Sequence, residues 1–182
     1  MLSSALKLFS DDGYENVGVQ RIVEAVDVKK PTLYHYFGSK QGLLVALLKK
    51  HFDPFLEDLA EIAIYRGDIT LTLEEIIKAY FRFALESRNL YRFALSLIYS
   101  AEQSEAWKMM CPFVERQHTI LEEVFRRAEK DHGNMRGRSK RYAITFLGMI
   151  NSYITTYFYG QIALCDESAH VACQQYMYGI FS

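Results

Sequence analysis

Apolar residues recur at three- and four-residue spacing along nearly the whole chain, and almost nothing interrupts them. Leu2, Ala5, Leu6 and Phe9 share one face, as do Val19, Ile22, Val23 and Val26, and then Leu43, Leu44, Leu47 and Leu48. That period belongs to an amphipathic helix, since strand side chains alternate at every second residue. The sequence holds only 3 Pro and 10 Gly, in no linker-like cluster, so long helices with few breaks are expected. The fold class is therefore all-α, and a hydrophobic fraction of 50% over 182 residues is ample for a buried core.

About nine helices are expected. The first ends at Gly13; the second runs to Val26 and is followed by Asp27 and Val28. Lys30 and Pro31 open the third, because the amide that proline lacks would be unpaired at a helix start, and the helix stops before Gly38. Ser39 caps the fourth, which continues to about Tyr65, and Thr72 to Glu75 matches a capping box for the fifth. Asn89 to Ala101, Ser104 to Asp131 with a kink at Pro112, Arg138 to Ala163, and Ser168 to the end complete the set. A helix, a short turn and a short partly exposed helix make a helix-turn-helix. Asp27 sits where that turn needs a left-handed backbone, and Val28 plugs the gap between the helices. The expected domains are residues 1–48 and 49–182, joined through the fourth helix as a rigid rod.

Composition excludes several classes. The net charge of -1 is no nucleic-acid signature by itself, although residues 1–50 hold seven Lys and Arg against five Asp and Glu. Cys111, Cys165 and Cys173 are odd in number, without CxxC spacing, and no apolar signal stretch opens the chain; a reduced cytoplasmic setting is expected. Tyr142 to Cys165 carries no charge and is long enough to span a bilayer, but Asn151, Ser152, Thr155 and Thr156 interrupt it and its tyrosines lie mid-run. A buried or partner-facing helix is the better reading. No glycine-rich phosphate loop and no HExxH occurs, and His35, His51, His118, His132 and His170 lack metal-ligand spacing. Neither enzyme activity nor a cofactor or metal is expected.

The stretch KKPTLYHYFGSK, Lys29 to Lys40, crowds rings and cations into one short helix. Leu33, Tyr36 and Phe37 are expected to turn inward; Lys30, Thr32, Tyr34 and His35 then face outward, as a helix in a major groove requires. The longer string LFSDDGYENVGVQRIVEAVDVKKPTLYHYFGSKQGLL resembles the amino-terminal DNA-binding domain of TetR-family transcriptional regulators over about the first quarter of the chain. The resemblance implies that Lys30, Pro31, Thr32 and His35 lie near bases, that Tyr34 and Lys40 touch phosphate, and that Lys29 and Gln20 belong to the same DNA-binding surface. The chain also departs from the family. Val17 and Gly18 stand where relatives usually place Ser or Thr, Asp27 replaces the turn glycine, and the basic arm that many relatives carry before the first helix is not expected here.

Two further expectations concern the rest of the chain. Ala143, Phe146, Leu147, Ile150, Ile154 and Tyr157 form an apolar stripe that, with Tyr176 on the last helix, is expected to pair with a second copy; TetR-like regulators dimerise in this way. Rings and methionines crowd the same region: Tyr80, Phe83, Tyr99, Trp107, Met110, Phe113 and Phe146, with Gln117, His118 and Asn151 as polar contacts. Such a lining suits a small-molecule site. By resemblance the chain is expected to be a homodimeric repressor of a palindromic operator on double-stranded DNA, released by an apolar or aromatic effector. A constitutive DNA-binding protein or helical adaptor without an effector is the alternative.

Overall fold

Nine α-helices occur among residues 1–179, which the computed structural model describes. They are α1 (Leu2–Asp12), α2 (Val19–Glu24), α3 (Lys30–Phe37), α4 (Lys40–Ile62), α5 (Ile69–Glu86), α6 (Arg88–Ile98), α7 (Glu105–Ala128), α8 (Ser139–Phe158) and α9 (Asp166–Tyr178). A 3-10 turn at Gly133–Met135 lies between α7 and α8. No helix among the described residues is long and apolar enough to cross a membrane.

The helix starts follow local chemistry, with one correction. The Ser39 hydroxyl caps α4 by accepting the Gly42 N–H (2.9 Å), and the Ser104 hydroxyl caps α7 by accepting the Trp107 N–H (3.1 Å). The capping box expected at Thr72 is not used. Asp68 is the cap, accepting the Leu71 N–H at 2.9 Å, while the Thr72 hydroxyl turns inward and donates to the Asp68 carbonyl at 2.6 Å. The earlier start puts Ile69 on the buried stripe with Leu73 and Ile76, and that burial decides it. α8 stops at Phe158, short of Ala163, because Gly160 takes a left-handed turn (φ 73°). Both α4 and α7 run on through internal prolines, Pro54 and Pro112.

Two compact units form, and α4 and α7 contribute to both. The first comprises Met1–Pro54 and Ser87–Val114. In it α1 packs on α6: Phe9 stacks on Phe93 at 5.8 Å and meets the edge of Tyr14 at 5.2 Å. Leu43, Leu44, Leu47 and Leu48 of α4 are fully buried there.

The second unit holds Phe55–Glu86 and the chain from Glu115 onward. Here α5 packs on α8 and α9. The Phe55 ring lies parallel to Phe83 at 4.2 Å and edge-on to Tyr80 at 5.0 Å. Tyr80 is fully buried and its hydroxyl donates to the Gln117 side-chain carbonyl at 3.0 Å. The Tyr176 hydroxyl donates to the Tyr142 backbone carbonyl (2.7 Å), and burial raises its pKa to about 12.

Tyr80→Phe keeps the ring and removes the hydroxyl that donates to Gln117. It is expected to lower stability by about 1 kcal/mol in urea unfolding, against about 2–5 kcal/mol for Leu47→Ala, which opens a cavity.

Candidate nucleic-acid interface

The turn between α2 and α3 is built by the backbone. Val26 and Val28 N–H groups both donate to the Val23 carbonyl (3.3 and 3.0 Å), and Asp27 between them takes φ 50°. That is the left-handed region expected for it, which Asp tolerates better than most residues. Gly18 is the α2 cap and makes no side-chain hydrogen bond, while Val17 is fully buried. A salt bridge from Arg21 to Asp12 (2.9 Å) ties α2 to α1.

α3 begins with Pro31 in its first turn and buries a single side chain, Leu33. Successive residues turn by about 100°, so the rest divide into three strips. Lys30 and Tyr34 occupy one flank, Pro31 and His35 the tip, and Thr32 and Tyr36 the other flank. Lys29, Lys30, Pro31, Tyr34 and His35 are exposed, and Thr32 and Phe37 are half-buried. Tyr36 corrects the sequence reading: it is 70% exposed, not turned inward. Only Phe37, four residues on, stays near the Leu33 stripe; Tyr36 lies about 60° off it. Its ring meets the His35 ring edge-on at 5.2 Å.

Lys40 also differs from a free surface cation. It is the first residue of α4, half-buried, with its ammonium 4.1 Å from the centre of the Tyr14 ring. Desolvation lowers its pKa, opposed by the nearby carboxylates of Glu15 and Glu105. Gln20 is exposed on α2 and donates to the Glu24 carboxylate one turn on.

The residues named for an effector separate. Tyr80, Phe83, Gln117 and Phe146 lie in the second unit; Tyr80, Gln117 and Phe146 are buried and Phe83 is half-buried. Met110 and Phe113 are buried in the first unit, with Trp107 half-buried. Tyr99 is 77% exposed and encloses nothing. His118 is next to Gln117 on α7 but lines a different place, an outer cleft of about 460 Å³ with Glu115, Thr119, Glu122, Lys140 and Ile144. Burial lowers the His118 pKa. Asn151 is half-buried on α8.

The stripe expected to face a second copy is used within the chain. Ala143, Phe146, Leu147, Ile150 and Ile154 are buried, Phe146 meeting Phe125 at 6.0 Å and Tyr176 at 5.0 Å. Tyr157 and Tyr176 are half-buried. α8 is apolar on this face because α5 and α9 cover it. Its outer face carries Ile144, Gly148 and Ser152, and that of α9 carries Val171, Gln175 and Tyr178, all exposed. Spacing of four residues along α8 marks this second stripe, but small and polar residues hide it in a hydropathy reading.

An exposed, polar-faced short helix held behind an α2–turn–α3 corner defines a helix-turn-helix protein. Residues 1–47 match the family described as bacterial regulatory proteins, tetR family. The HTH-type transcriptional activator FasR of Mycolicibacterium smegmatis is 29% identical over 106 residues, covering 58% of this chain and 48% of that protein. The match thus spans about half the length of that relative. FadR from Bacillus subtilis, solved with stearoyl-CoA, has the same fold: TM-score 0.81, 18% identity, 98% of this chain and 97% of that one. AibR, solved with isovaleryl coenzyme A and operator DNA, follows at TM-score 0.70 and 23% identity, over 98% and 96%. Over its first 47 residues the chain is thus similar to the amino-terminal domain of the TetR family.

Asp27 supplies a test of the corner. Asp27→Val places a β-branched residue at φ 50° and is expected to lower stability by about 1–2 kcal/mol, while Asp27→Gly is expected to be nearly neutral in the same denaturant titration.

Proposed function

We propose that this chain is a sequence-specific DNA-binding transcriptional repressor, working as a homodimer and released by a small effector. The observation that carries the reading is α3 itself, whose only buried side chain is Leu33 and whose other faces present Lys30, Thr32, Tyr34 and His35. Thr32 and His35 can meet base edges, and the Tyr34 hydroxyl and Lys30 can meet phosphates. Residues 1–48 are the DNA-binding domain in this reading, and residues 49–182 hold the effector and the second copy. The chain acts inside the cell and catalyses no reaction.

Two recognition helices must reach successive major grooves about 34–36 Å apart, so a palindromic site calls for a dimer. The outer stripes of α8 and α9, with Ile144 at 50% and Val171 at 52% exposure, suit a second copy. Gly148 lets two helices approach closely there. The relatives solved with stearoyl-CoA and isovaleryl coenzyme A make acyl-coenzyme A thioesters of graded chain length the first effectors to test. A constitutive regulator is the second reading, favoured by one observation: the Phe55–Phe83 stack and the Tyr80–Gln117 bond fill the second unit with its own side chains. A thioester that binds only the folded state must raise the melting temperature; no rise across the series selects the constitutive reading.

Selection from a random duplex library is expected to return a palindrome. Tyr34→Ala should lose at least tenfold in affinity for it, and Thr32→Ala should relax base preference at one position per half-site; recovery of no enriched sequence would end the DNA reading. Ile144→Asp with Gly148→Arg is expected to give a folded monomer in sedimentation and to abolish tight binding to the palindrome.

A further inference from the structure

Tyr36 is 70% exposed on α3, yet it has no part in the DNA contacts assigned to Lys30, Thr32, Tyr34 and His35. Its ring meets the His35 ring at 5.2 Å with 77° between the planes, and lies 6.4 Å from the Phe37 ring at 51°. Edge-to-face packing is favoured between aromatic rings because the electropositive rim of one meets the negative face of the other. Phe37 is half-buried near the Leu33 stripe, so the rings of residues 35 to 37 run from the packed side of the helix to its tip, with Tyr36 in the middle. Among the described residues His35 makes no hydrogen bond or ion pair, and the Tyr36 ring is the contact that restrains its side chain.

We propose that Tyr36 is a specificity-determining positioning residue, whose ring holds the His35 imidazole in the orientation in which it reads a base edge. The inference rests on the DNA-binding reading of α3 and adds to it a residue that itself touches no base. A hydrogen bond weakens steeply as its donor angle departs from linear, so the direction of the imidazole decides which base pair is preferred. At the helix tip an unrestrained histidine would swing among several staggered positions, and its nitrogens would point to a different place in each. A ring already held against Tyr36 loses less freedom on binding, an advantage realised only where the matched base pair is present. The Tyr36 hydroxyl has no share in this, which separates its role from that of Tyr34.

The test is a double-mutant cycle on the full chain. Affinity is measured for the palindrome selected from the random library and for the same duplex with one base pair per half-site exchanged, the pair whose preference His35→Ala relaxes. The ratio of the two affinities is the readout, since a residue that merely stiffens α3 changes both together. Tyr36→Leu removes the ring from an exposed place and is expected to lower that ratio on the order of three- to tenfold. Tyr36→Phe keeps the ring and is expected to hold the ratio within about twofold of the wild-type value. In a His35→Ala background, Tyr36→Leu is expected to leave the affinity for the palindrome unchanged, because the ring then has nothing to hold. Circular dichroism sets a measuring temperature at which every variant is folded. An unchanged ratio in Tyr36→Leu overturns the proposal, and an equal loss in Tyr36→Phe does so by assigning the effect to the hydroxyl. A loss that persists without His35 would mean that Tyr36 meets the DNA itself, and overturns it too, as does a palindrome in which His35→Ala relaxes no base pair. Failure of the wild-type chain to enrich any sequence is the separate result that removes the DNA reading, and this inference with it.

Discussion

Leu33 is the only side chain that α3 buries. A helix of eight residues has no stability of its own in water, so its direction depends on that one contact and on the corner before it. The corner is rigid because the Val23 carbonyl accepts two amides while Asp27 bends back between them. Everything proposed for DNA follows from this arrangement. Lys30, Tyr34 and His35 are left exposed and Thr32 half-buried in fixed strips, and α2 packs against α3 behind them.

The helical frame was largely legible in the sequence. Helix order and the left-handed Asp27 could be read because spacing and backbone sterics are local properties. What escaped needed tertiary knowledge. Thr72 has the pattern of a cap but lies inside α5, since burying Ile69 outweighs a capping box. Tyr36 looked apolar enough to turn inward, yet a short helix covered on one side has room for Leu33 and part of Phe37 only. The apolar stripe of α8 was visible, but not its partner: hydropathy says that Phe146 and Ile150 are buried, and cannot say whether the same chain or another one buries them.

The candidate site was legible to a different degree at its two ends. On α3, residue type and position together carry the chemistry, so the sequence reading and the exposed strips largely coincide. In the second unit the same residue types serve packing and recognition equally well. Gln117 and His118 show the difficulty: adjacent in sequence, they face a buried tyrosine and an outer cleft. No pattern in the sequence separates them, because which way each points depends on the neighbouring helices.

The prolines inside α4 and α7 have a consequence of their own. Each removes one backbone donor, and they fall at or close to the residues where the first compact unit gives way to the second along both helices, Pro54 at the end of one segment and Pro112 just before the end of the other. The ladder of each helix is therefore missing a rung at that place. Amide protons in these turns are held less firmly than those of the leucine-rich start of α4, and hydrogen exchange would enter both long helices from the middle as well as from their frayed ends.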